Sequence, residues 1–164
     1  MTAAARDLLQ AERTATPIEP LTARIPDLGV DGAYAIQRAG RALRLADGGR
    51  IAGHKIGLTS EAIQRQLGVD QPDYGYLLDT MIVGDGAVVD AGGLIAPRVE
   101  AEIGFLLKAP LRGPGVTVQD VLAATAAVTP CIEVIDSRIR DRASFPRWTD
   151  PRAVRKPQAI AAFP

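Results

Sequence analysis

The sequence predicts an α+β fold, with helices before residue 50 and a mostly β region after it. Three patterns carry that expectation. Apolar residues at Tyr34, Ala35, Ile36, Ala39, Leu43 and Ala46 line one side of a helix. Between Arg98 and Lys108 the apolar residues alternate, at Val99, Ala101, Ile103, Phe105 and Leu107, which is the period of a β-strand with one buried face. A second strand, Cys131-Ile132-Glu133-Val134-Ile135-Asp136-Ser137, follows Pro130.

In chain order, Thr2 to Thr14 is rich in Ala, Leu and Glu and reads as a short helix ended by Pro17 and Pro20. After a linker to Leu28, Asp31 can cap the second helix, and Gly48 and Gly49 stop it. Ile51 to Ser60 reads as a strand turning into a helix, which runs to Leu67 and closes at Gly68. Asp70 to Gly75 is rich in turn residues. Strands Tyr76–Val83 and Ala87–Asp90 flank Gly84-Asp85-Gly86, a hairpin signal. Thr117 with Asp120 is a capping-box-like start to a helix reaching about Val128. After Ile139 no helix or strand period is visible. Residues 140–164, crowded with Arg and Pro, are expected to be disordered or loosely docked.

Composition narrows the function classes. The 164 residues suit one domain, and 47% hydrophobic content is enough for a core. Nineteen acidic residues balance nineteen basic ones, so nothing global argues for nucleic acid or an anionic membrane as a partner. The single cysteine, Cys131, and single histidine, His54, cannot build a usual zinc site, and one cysteine allows no internal disulfide. No apolar run approaches membrane-spanning length and the N-terminus lacks a signal-peptide h-region, which together with the lone cysteine points to the cytoplasm.

The candidate chemistry lies on the strands. Glu100 and Glu102, two positions apart, project from one face about 6.5–7 Å apart. The spacing alone fits a solvated outer face as well as it fits a pair held together by a cation. Glu133, inside an apolar strand, needs a cation, a proton or good donors if it is buried. Lys55 is flanked on its own face by Gly53 and Gly57, so it can reach a ligand lying close to the backbone; an exposed lysine on an edge strand has the same pattern. Asp73 in Pro-Asp-x-Gly is also an ordinary turn aspartate. His54 points away from Lys55, beside Ile56, and reads as a packing residue.

Taken in order, Gly-His-Lys-Ile-Gly-Leu-Thr-Ser at 53–60, Gln66-Leu67-Gly68-Val69, Pro72-Asp73-Tyr74-Gly75, Arg-Val-Glu-Ala-Glu-Ile at 98–103 and Pro-Cys-Ile-Glu-Val-Ile-Asp-Ser-Arg at 130–138 resemble the 2-keto-4-pentenoate hydratases. That family also holds the 4-oxalocrotonate decarboxylases and belongs to the fumarylacetoacetate hydrolase superfamily. The likeness runs from about Leu8 to Ile139. It implies N-terminal helices (1–50), an incomplete fumarylacetoacetate hydrolase-like mixed β-sheet domain (51–139) and an atypical tail (140–164). It implies that Glu100, Glu102 and Glu133 hold one Mg²⁺ or Mn²⁺, that Lys55 sits at the substrate end of the site, and that Asp73 takes part in proton transfer. Three oxygen ligands also suit a hard octahedral cation by chemistry alone.

The implied reaction is a hydration in aromatic-compound catabolism, converting 2-hydroxypenta-2,4-dienoate to 4-hydroxy-2-oxopentanoate. The implied alternatives are decarboxylation of a 2-oxo-3-enedioate and an inactive remnant. Family members are implied to be homo-oligomers acting on small 2-hydroxy-dienoates or 2-oxo-enoates. Their Trp-containing segment, Asn-Ala-Ser loop and further strands have no counterpart after Ile139, so the resemblance implies a truncated or frameshifted chain.

Overall fold

A computed structural model describes residues 1–140 and 156–162. Two helices open the chain: α1, Thr2–Arg13, and α2, Val30–Ala46. Helix α1 buries Ala4, Ala5, Leu8 and Ala11; α2 buries Ala33, Ile36 and Gly40. Small residues at the crossing let the axes approach, and a Cβ on Gly40 would lie 4.0 Å from that of Ala5. Leu21, Leu28 and Ile139 complete this cluster, with Ile18, Ile25, Ala39 and Leu43 packed around it. The α2 cap is Gly29, and Asp31 lies in the first helical turn. There its charge still complements the helix dipole, but it caps nothing. Gly48, at φ +92°, turns the chain out of α2 in a conformation other residues resist.

Strands β1, Ile51–Gly57, and β2, Asp73–Leu78, pair antiparallel as a two-stranded sheet, with α3, Glu61–Leu67, between them. The second sheet has the order β3-β6-β5-β4, formed by Ile82–Val83, Lys156–Ala162, Thr125–Asp136 and Arg98–Leu107. Helix α4, Val118–Ala124, starts at the expected capping box, where Thr117 and Asp120 bond reciprocally. It is shorter than the sequence pattern predicts. At Thr125 the chain becomes β5, because Thr125, Val128 and Thr129 suit a strand and find partners along β4.

Other local expectations are corrected. Asp73 to Gly75 is strand rather than turn, since β1 offers it a complete antiparallel edge. The hairpin around Gly84-Asp85-Gly86 does not form, and Ala87 to Asp90 is not a strand. The Asp79 carboxylate accepts hydrogen bonds from Arg50 N, Arg50 Nε and Thr80 N, and this bends the chain into a 3₁₀ turn after β2. In the tail, residues 141–155 and 163–164 lie outside the described residues. Lys156–Ala162, for which the sequence suggested no element, is a central strand that pairs with β3 on one side and β5 on the other. Pairing through backbone groups needs no side-chain pattern, which is why alternation did not reveal it. Pro157 lies opposite Ile135, beside a register irregularity.

The largest departure concerns β4. The strand is where the alternation placed it, but its apolar face is the open one. Val99 is 71% exposed, Ile103 66% and Phe105 56%, and across the strand pair Val128 is exposed too. The glutamate face is the partly covered one. A contiguous apolar patch of this kind favours association. We therefore expect the protein to scatter light increasingly with concentration, and the double substitution Ile103→Thr with Phe105→Ser to suppress that rise. Equal scattering by the double variant would rule this face out as the cause.

Candidate metal centre

Register builds the acidic group. β4 and β5 pair antiparallel with Glu100 opposite Glu133 and Glu102 opposite Cys131. The alternation that aims Glu100 and Glu102 to one face therefore brings Glu133 to the same face. Carboxylate oxygens of the three lie within 4.8 Å of one another. Directly opposed like charges destabilise a strand pair. Glu133 is 2% exposed, and burial pushes its carboxyl above the usual carboxylate range. Glu100 and Glu102 push the same way, while Lys55 opposes them.

Lys55 arrives from the other sheet. Its Nζ pairs with Glu133 Oε2 and lies 3.9 Å from Glu102 Oε1. One ammonium among three carboxylates leaves two negative charges, the amount a divalent cation neutralises. The donors are all oxygen and one is fully buried, a set that fits a hard cation such as Mg²⁺. Cys131 is buried beside them. Burial, then the charges of Glu102 and Glu133, push its thiol up.

Asp73 sits on the same face of the β1–β2 pair as Lys55. The cross-strand partners are Lys55 with Gly75 and Gly57 with Asp73, so Lys55 and Asp73 are diagonal neighbours with a glycine opposite each. His54 is exposed on the other face and does not join the group. The structure thus brings Glu100 and Glu102 of β4, Glu133 of β5 and Lys55 of β1 together, and it places Asp73 of β2 beside Lys55 on the β1–β2 pair.

Residues that the sequence did not single out hold these strands in place. The buried Asp136 carboxylate accepts from Ile95 N at 2.9 Å and Ala96 N at 2.6 Å, fixing the entry to β4. Buried Arg138, just past β5, donates from Nε to Glu12 Oε2 at 2.6 Å, and the same carboxylate pairs with Arg44 of α2. Ile18 N donates to Arg138 O, and Arg140 N to Ile18 O. Glu12 and Arg138 are 126 positions apart, and no local pattern joins them.

An α+β chain with three converging carboxylates, one of them buried and paired with a lysine, is the class that this fold and site define. Comparison narrows it. The chain is 52% identical over 136 residues to the 2-hydroxyhexa-2,4-dienoate hydratase of Comamonas testosteroni, covering 82% of this chain and 52% of that one. It is 52% identical to the 2-hydroxypent-2,4-dienoate hydratase of Pseudomonas putida, covering 82% of this chain and 61% of the relative. A solved structure of the 4-oxalocrotonate decarboxylase from Pseudomonas putida G7, complexed with magnesium and adipate, superposes with a TM-score of 0.84 at 38% identity, over 99% of this chain and 61% of that one. The same decarboxylase complexed with calcium and acetate gives 0.83 at 40% identity. No family model matches. The chain belongs to the family of 2-keto-4-pentenoate hydratases and 4-oxalocrotonate decarboxylases, and it spans about half the length of the curated relatives it matches. Among the described residues no helix is long and apolar enough to cross a membrane.

Proposed function

We propose that the chain carries the metal-binding and proton-transfer part of a 2-hydroxy-2,4-dienoate hydratase, on a partial fumarylacetoacetate hydrolase-like sheet. The observation that carries this reading is the convergence of Glu100, Glu102 and Glu133 beside Lys55, in a chain half identical to dienoate hydratases. Glu100, Glu102 and Glu133 would hold Mg²⁺ or Mn²⁺. When bound, such a cation supplies a Lewis acid for negative charge on the 2-oxygen of the substrate.

The residues divide the remaining work. Lys55 presents an ammonium to the substrate end of the site, where it orients the carboxylate and offsets charge. Asp73 serves in general acid–base transfer. The 2-hydroxyl loses its proton as carbon 5 gains one, giving an α,β-unsaturated ketone. Water then adds at carbon 4 and a proton at carbon 3, yielding the 4-hydroxy-2-oxo acid. Decarboxylation of a 2-oxo-3-enedioate is the second reading, favoured by the superposition on 4-oxalocrotonate decarboxylase. The higher identity to hydratases favours hydration.

The test is turnover of 2-hydroxypenta-2,4-dienoate and of a six-carbon 2-oxo-3-enedioate with Mg²⁺, for the chain and its Lys55→Ala and Asp73→Asn variants. We expect the dienoate to be consumed and each variant to lose about a hundredfold or more in rate, the scale of a general acid–base or charge-stabilising contribution. Turnover of the enedioate alone would select the decarboxylase, and variants as fast as the parent would remove both residues from the mechanism.

A further inference from the structure

We propose that Gly57 is a positioning residue: its missing side chain is the seat of the Asp73 carboxylate. The inference rests on the role given to Asp73 above and adds to it what keeps that group in place. Gly57 and Asp73 are direct cross-strand partners. A Cβ built on Gly57 would run into Asp73 Oδ1, well inside van der Waals contact, and would lie 3.2 Å from Asp73 Cγ. The carboxylate therefore lies across the β1 backbone in space that any other residue would fill.

The remaining pairs on this face show that the arrangement is specific. Each holds one glycine: Gly53 opposite Leu77, Lys55 opposite Gly75, and Gly57 opposite Asp73. A Cβ on Gly53 would meet Leu77 Cδ1 at an ordinary 3.6 Å, whereas a Cβ on Gly75 would meet nothing within 4 Å. Lys55 leaves the space over Gly75 empty, because it extends to Glu133 and Glu102 instead. A Cβ at residue 57 could be accommodated only by turning the Asp73 carboxylate aside. The Asp73 side chain is short, and it is laid over Gly57 beside the open floor that Lys55 borders. A carboxylate that must meet a substrate carbon works within a fraction of an ångström, and a methyl group at residue 57 would displace it.

Two measurements decide the matter. In the first, Gly57→Ala, Gly75→Ala, Asp73→Ala and the double variant Gly57→Ala/Asp73→Ala are melted with and without Mg²⁺. Gly57→Ala should lower the melting temperature, Asp73→Ala in that background should recover most of the loss, and Gly75→Ala should change little. The Mg²⁺ shift should persist in all of them, because the three glutamates lie on the other sheet. No recovery in the double variant would overturn the proposal. If Gly57→Ala does not fold alone, the double variant still reports, since it should fold.

The second measurement is Mg²⁺-dependent exchange of the carbon-3 protons of 2-oxopentanoate in D₂O. Gly57→Ala should lower the maximal rate about a hundredfold with little change in the half-saturating concentration, and add nothing in the Asp73→Asn background. An Asp73→Asn loss unaccompanied by a Gly57→Ala loss would also overturn it. Absence of exchange in the parent chain would count against the role of Asp73, while the melting series would still decide whether Gly57 is its seat.

Discussion

Glu12→Gln is expected to lower stability by about 3 kcal/mol, the scale of removing one partner from a buried ion pair. For a chain of this size that is a fall of roughly 6–12 °C in melting temperature. The Glu12 carboxylate is the shared partner of Arg44 and Arg138, whose side chains are 15% and 4% exposed. Glutamine keeps the shape but leaves two guanidinium charges in the interior without their counter-charge. The damage should spread from α1 and α2 to the end of β5, because Arg138 ties them together. Burial pushes the Glu12 carboxyl up, but Arg138 and Arg44 outweigh it and hold the carboxyl below the usual carboxylate range.

The sign follows from that depression. An acid more easily ionised in the folded state adds stability that is present above its ordinary value and lost as pH falls through the lowered one. The parent should thus lose an increment of stability below about pH 4 that the Glu12→Gln variant has already lost. Melting both proteins from pH 3 to 7 checks this, and parallel curves across the acid range would show that the pair contributes nothing.

Mg²⁺ is expected to raise the melting temperature, and Glu133→Gln to abolish the rise. A ligand at about a hundred times its dissociation constant stabilises by about 2.7 kcal/mol, or roughly 5–10 °C here. Glu133 is the buried member of the cluster and stands directly opposite Glu100. A neutral amide there removes one anionic ligand and leaves Lys55 free to pair with Glu102, so the site loses charge twice over. Glu102→Gln should remove most of the shift as well. Persistence of the full shift in both variants would mean that the cation binds elsewhere. The pair of results bears directly on the proposed chemistry, since without the cation nothing in the described site offsets charge on a substrate oxygen except Lys55.

Local patterns in the sequence were enough for the helices α1 and α2, the strands β1 and β4, the capping box at Thr117 and the glycine stop after α2, because each depends on neighbouring residues alone. Of the candidate site, local pattern raised the three glutamates, while their grouping into one metal site with Lys55 and Asp73 came from the family resemblance. Alternation put Glu100 and Glu102 on one face, and an acidic residue inside an apolar strand made Glu133 conspicuous. Only tertiary structure decided the rest. The opposition of Glu100 to Glu133 is set by the register of β4 against β5, and the approach of Lys55 by the placement of one sheet against another. The strand at Lys156–Ala162 rests on backbone pairing, which leaves no periodic trace. The face of β4 that is covered is likewise decided at a distance. Alternation separates the two faces but does not say which one the rest of the molecule packs against, and here the packing meets the glutamates and leaves Val99, Ile103 and Phe105 open.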